Sequence, residues 1–244
     1  MLDTASAEFR ASAVSLLAEG VAYDQQKKWT KAIEAYQKCV KRDKNNSKAW
    51  FALGYAYYNQ NGKEDCEEAI EPYEQCIKLD RSNMAAHVNL GTLYKNVRGD
   101  HDSAEAMYRK AIKLDKTNAK AHSYLGNVLT LNGDYAGAEV KHRKAVELDP
   151  SNMTVRNNLA DFLVKRGDLG EAEKEISEAI EINRRSNPQV ALPHGTYAEI
   201  LEKKNDIPGA IEAAEEFVRL GGIRGNDGKE YLARLRENLK TSTQ

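Results

Sequence analysis

At 244 residues and 41% hydrophobic side chains, the chain can build one elongated domain or two small compact ones. Its 36 Lys and Arg nearly cancel 37 Asp and Glu, leaving a formal charge of −1, so no global field draws in nucleic acid or an anionic membrane. Cys39, Cys66 and Cys76 lack the spacing of a disulfide framework, and neither a leader pattern nor an apolar run near ~20 residues is present, so a soluble, cytoplasmic protein with reduced thiols is expected.

Residues 1–12 read as an N-terminal extension of the first helix. From there the chain repeats itself. An anchor Gly or Ala falls at Gly20, Gly54, Gly91, Gly126, Ala160 and Ala198, with spacings of 34, 37, 35, 34 and 38 residues. A period near 34 with short insertions is the mark of a helical repeat array. The units are read as 13–46, 47–83, 84–118, 119–152, 153–186 and 191–224. In the third, His87, Leu90, Gly91 and Tyr94 share one helix face and Ala104, Met107, Tyr108, Ala111 and Ile112 share another, with GDHD as the turn between them. Surplus residues fall in NQNGKED (Asn59 to Asp65), around Gly99, and in SNPQV before the sixth unit, all of them turns.

The expected N-caps recur in step. Asn46, Asn83, Asn118 and Asn152 precede first helices, and Asp100, Asp134, Asp168 and Asp206 precede second helices. After the glycine-rich GGIRGNDG, residues 225–244 read as a capping helix and tail, with Tyr231, Leu232, Leu235 and Leu239 on one face.

These residues resemble the tetratricopeptide repeats. The second unit supplies Trp50, Leu53, Gly54, Tyr57, Ala69 and Tyr73, and the fourth supplies Leu125, Gly126, Ala138, Ala145 and Pro150. The closing Pro survives only there, and the sixth unit departs furthest, with Ala214 in the aromatic slot and Phe217 in a small one. The resemblance implies an all-α, right-handed solenoid of about six hairpins plus the capping helix. It also implies a groove that grips a partner protein as an extended peptide or a helix. Packing is expected to bring Gly or Ala of one helix against Ala of the next, with Leu, Tyr and Trp filling the flanks.

The groove is expected to present Lys48, Phe51, Tyr55, Tyr58, Asn89, Thr92, Lys120, Tyr124, Asn127, Asn158 and Asp161, greasy in the first half and polar in the second. Ser123, Thr130 and Asn157 are read onto the same lining, as are Val14, Leu17 and Val21. Aromatic anchors and Asn amides suit a peptide. A plain packing role for Phe51 and Tyr55 is the competing reading. A scaffold or self-assembly unit, and the substrate-selecting part of a larger enzyme or co-chaperone, also stay open.

Sharper chemistry finds little support. A carboxylate clamp would need cations where Ser123, Leu192 and Thr196 stand. An Asn ladder at Asn89 and Asn158 is broken by Tyr124. His87 and His122 occupy the large slot of Trp50, His142 the aromatic slot, and His101 a turn; no two share metal-ligand spacing. Cys39 and Cys76 fill a small slot, and Cys66 opens a second helix. In GGIRGNDGKE, Ile223 and Glu230 break a phosphate-loop pattern. No enzymatic activity, cofactor or metal is expected.

Overall fold

The computed structural model describes residues 2–61, 66–186, 190–221 and 227–242. Residues 62–65 and 187–189, where turns are expected, and 222–226 of the glycine-rich segment lie outside them. The described residues form an all-α, helical-repeat fold without strands. They divide into two compact units, Met1–Lys116 and Thr117–Gln244.

Unit 1 holds α1 (Leu2–Gln25), α2 (Trp29–Arg42), α3 (Ser47–Asn61), a single 3-10 turn (Glu67–Ala69) leading into α4 (Ile70–Leu79), α5 (Met84–Asn96) and α6 (His101–Leu114). Unit 2 holds α7 (Ala119–Leu131), α8 (Tyr135–Leu148), α9 (Met153–Arg166), α10 (Leu169–Ser186), α11 (Leu192–Lys203), α12 (Ile207–Arg219) and α13 (Asp227–Ser242). Helices pair as antiparallel hairpins, α1 with α2, α3 with α4, α5 with α6, α7 with α8, α9 with α10 and α11 with α12. Second helices also pack on the first helix of the following hairpin within a unit, α2 on α3 and α4 on α5 in unit 1, α8 on α9 and α10 on α11 in unit 2.

The caps form as the spacing demands. Side-chain oxygens of Asn46, Asn83 and Asn118 accept from the backbone N–H three residues on, at 3.1, 3.0 and 2.8 Å. Asn152 serves Thr154 and Val155. Asp100, Asp134 and Asp206 cap Ser103, Gly137 and Gly209. Each bond satisfies a helix-end donor that would otherwise stay unpaired. Asp168 takes a different role, its carboxylate accepting from Arg166. His101 is the first residue of α6 rather than part of a turn.

Between the helices of a hairpin the chain passes through the left-handed region at one recurring place: Gly99, Gly133, Gly167, Lys27 and Asn205, with φ between 56° and 94°. Glycine enters this region without penalty, whereas Lys27 brings a Cβ into it.

In four of the hairpins the expected meeting of small residues is corrected. The glycine faces a ring. A Cβ built on Gly20 would lie 2.3 Å from the Tyr36 ring, on Gly54 3.0 Å from Tyr73, on Gly91 2.9 Å from Tyr108, and on Gly126 2.8 Å from His142. Ala69, Ala104 and Ala138 are also fully buried, but what the glycine vacates is room for the ring of the second helix. In α11 and α12 this pair is displaced by a turn on both strands of the hairpin. Gly195 meets Phe217, 3.0 Å from the built Cβ, while Ala198 and Ala214 fill the usual places. The sixth hairpin thus compensates the departure seen in its sequence.

Hydrogen bonds tie one hairpin to the next. Tyr57 accepts from Gln37 at 2.7 Å, and Tyr94 donates to Glu74 at 2.7 Å. In unit 2 the Arg143 guanidinium of α8 pairs with Glu171 of α10 at 2.7 Å. Tyr231 of α13 donates to Glu202 at 3.0 Å while Leu232 and Leu235 are buried, so α13 covers the apolar flank of α11 and α12.

Candidate functional site

The faces of the first helices, left clear of their partners, are where the sequence places a binding surface. In unit 1 these belong to α1, α3 and α5. Helical spacing puts Val14 and Val21 on α1 and Tyr55 on α3, and they are 63%, 41% and 40% exposed, well above what packing would leave of such side chains. Tyr55 meets Trp29 edge to face at 6.4 Å between ring centroids. Lys48, at the start of α3, is exposed.

Phe51 and Asn89 are drawn together by a third residue. The Phe51 ring packs on Tyr73 at 5.7 Å, and Asn89 donates its amide N–H to the Tyr73 hydroxyl at 3.1 Å. Burial pushes the Tyr73 phenol well above its ordinary pKa, which fixes it as a neutral group in this bond. Thr92 likewise donates to the Val88 carbonyl at 3.0 Å and meets the Tyr108 hydroxyl at 3.1 Å. Tyr58 is half-buried against the same cluster. Of the aromatic anchors, only Tyr55 is therefore presented openly; Phe51 and Tyr58 give part of their surface to packing.

In unit 2, α9 packs against both α7 and α11, so three first helices form one wall. Lys120 is exposed, Asn127 is half-buried, and burial raises the phenol pKa of half-buried Tyr124. Asn158 donates to Ser123 Oγ at 2.8 Å, and Asp161 accepts from Lys165 at 2.8 Å. Three expected lining residues are corrected: Ser123, Thr130 and Asn157 are buried, because at their places the neighbouring helices close over the wall. Asn89 and Asn158 each have one amide N–H engaged. That N–H goes to Tyr73 and Ser123, and each amide keeps a second N–H and its carbonyl oxygen.

The titratable groups behave as packing residues. His142 is fully buried against Phe162, with 5.2 Å between ring centroids, and burial depresses its pKa to about 4. Burial pushes Cys66 and Cys76 up to about 11, which holds both as thiols. Among the described residues, no group of three His, Cys, Asp or Glu is arranged to hold a metal ion, and no helix is long and apolar enough to cross a membrane.

Sequence reasoning missed two features. The repeat pattern gives Trp29 no part in the surface, although an aromatic at the head of α2 is its signal. Gly195 does not stand out in the pattern, because Ala198 carries the repeat register.

Family models described as tetratricopeptide repeat match residues 129–192 and 47–83, and one described as TPR repeat matches residues 20–61 and 98–133. No curated protein matches the chain. Among solved structures, the chain is similar to the MamA protein at 23% identity and a TM-score of 0.61, over 71% of this chain and 93% of that one. It resembles pilF of Pseudomonas aeruginosa at 17% identity and a TM-score of 0.67, over 93% and 99%. Against the Cut9-Hcn1 assembly of the APC/C, the identity is 18% and the TM-score 0.76, over 92% of this chain and 43% of that one. At these identities the likeness concerns the fold.

Proposed function

Because the chain belongs to the tetratricopeptide repeat family, whose repeats serve protein interaction, we propose that it is a non-catalytic adaptor holding a partner's peptide or helix on the first-helix faces. The observation that carries this reading is the exposed apolar stripe Val14, Val21 and Tyr55 in unit 1. Apolar side chains gathered on one face lose little and gain much when a partner covers them. Lys48, Phe51, Tyr58, Asn89 and Thr92 border this stripe in the proposal. Lys120, Tyr124, Asn127, Asn158 and Asp161 form its polar counterpart in unit 2.

The test is affinity capture with the wild type beside a Val14→Ser, Val21→Ser, Tyr55→Ala variant, each checked for helicity by circular dichroism. The expected result is a partner retained by the wild type and lost by the helical variant. Equal capture by both would overturn the reading.

A further inference from the structure

We propose that unit 2 carries a seat for one bulky, uncharged side chain of a partner peptide, in the cleft between α11 and α13 whose floor is Phe217 of α12. This rests on the reading that the chain holds a partner's segment, and it names the chemistry of one contact.

The cleft encloses about 670 Å3, and one missing side chain opens its floor. The position that holds Ser123 in α7 and Asn157 in α9 is Gly195 in α11. Without a Cβ there, the Phe217 ring lies directly beneath the helix backbone and forms the bottom of the cleft. The residue one turn before each of these three positions is Lys120 in α7, Thr154 in α9 and Leu192 in α11, so the lip is apolar where α7 carries a cation. Leu192 is 44% exposed.

The ionic groups at the mouth satisfy one another. Glu202 accepts from the Tyr231 hydroxyl and from Arg234, each at 3.0 Å, and Glu199 stands 3.7 Å from Lys203. Two carboxylates and two cations leave the mouth without net charge. A charged side chain entering would shed hydration and find no unspent counter-ion. A leucine or phenylalanine side chain would instead bury its surface on Phe217 and Leu192, and the neighbouring salt bridges would exclude water around it, as the rim of an interface hot spot does.

The experiment is an NMR titration of the full chain with capped amino-acid amides, reading the backbone signals of Gly195 and Thr196. N-acetyl-leucinamide and N-acetyl-phenylalaninamide are expected to shift both signals saturably, while N-acetyl-lysinamide and N-acetyl-glutamic acid amide leave them in place. Leu192→Glu, at the exposed start of α11 and checked for helicity by circular dichroism, is expected to weaken the uncharged probes about tenfold. Absence of shifts, equal shifts from charged probes, or unchanged affinity in Leu192→Glu would each overturn the seat. Because the probes are read without any partner, failure here leaves the capture experiment at Tyr55 to stand or fall separately.

Discussion

The indole N–H of Trp50 donates to the carbonyl oxygen of Lys44, six residues earlier, at 2.9 Å. The same bond recurs in two other units where this slot holds another type of residue. His87 Nε2 reaches the Arg81 carbonyl at 3.2 Å and Arg156 Nε reaches that of Pro150 at 2.7 Å, both again six residues back. Trp, His and Arg therefore interchange because each brings an N–H to the turn that precedes its helix. Trp50→Phe keeps most of the packing and loses the bond, so urea unfolding should show a loss of about 0.5–1.5 kcal/mol. Trp50→His should recover part of it.

Arg156 makes a second bond, to Glu175, and the two side chains are only 16% and 14% exposed. Removing one partner strands the other charge in a poorly hydrated place. Arg156→Ala should lower stability by about 2–3 kcal/mol, and Arg156→Lys, with a charge but no fork, by less. Chemical denaturation of both variants checks the order.

His142 links stability to acidity. Its folded pKa, about 4, lies below the ordinary value of 6.5, because burial against Phe162 opposes the charged form despite the nearby Asp161 carboxylate. A base depressed in this way contributes its full stability above pH 6.5. It loses up to about 1.4 kcal/mol per pH unit as the pH falls towards 4, since the unfolded chain binds the proton first. His142→Phe should flatten the difference in unfolding free energy between pH 7 and pH 5. An unchanged slope would remove His142 as its source.

Lys27 holds φ = 56° at the place where Gly99, Gly133 and Gly167 hold comparable angles. Lys27→Gly relieves the Cβ crowding, and thermal unfolding should show a gain of about 0.5–1 kcal/mol. The same exchange at Lys28, outside the left-handed region, should bring no gain.

Most of the architecture could be read before any coordinates. The period of the anchor residues gave the hairpins, and Asn83, Asn118 and Asp134 marked helix starts because a short side-chain acceptor has one obvious use beside an unpaired N–H. The outward face of the first helices was legible in part. Helical spacing pointed Val14, Val21 and Tyr55 outward, and they are exposed. It could not tell that Asn89 would be taken by Tyr73, because that depends on how a ring from a neighbouring helix leans across, which no single-helix pattern contains. Ser123 and Asn157 were misplaced for the same reason: burial there is decided by the approach of adjacent first helices. The Gly195 and Phe217 pair escaped notice because both residues shift by one turn together, so neither alone fits the repeat.

Every stabilising contact described within these units joins helices adjacent in the chain or one removed, and the anchor-to-ring pairs span only some twenty residues. Little chain entropy has to be surrendered before such contacts form, which favours rapid folding from several starting points. It also means that opening can begin locally, because a hairpin detaches by breaking only its borders with its neighbours. Amide exchange should then report graded protection along each unit, lowest where a hairpin has a neighbour on one side only.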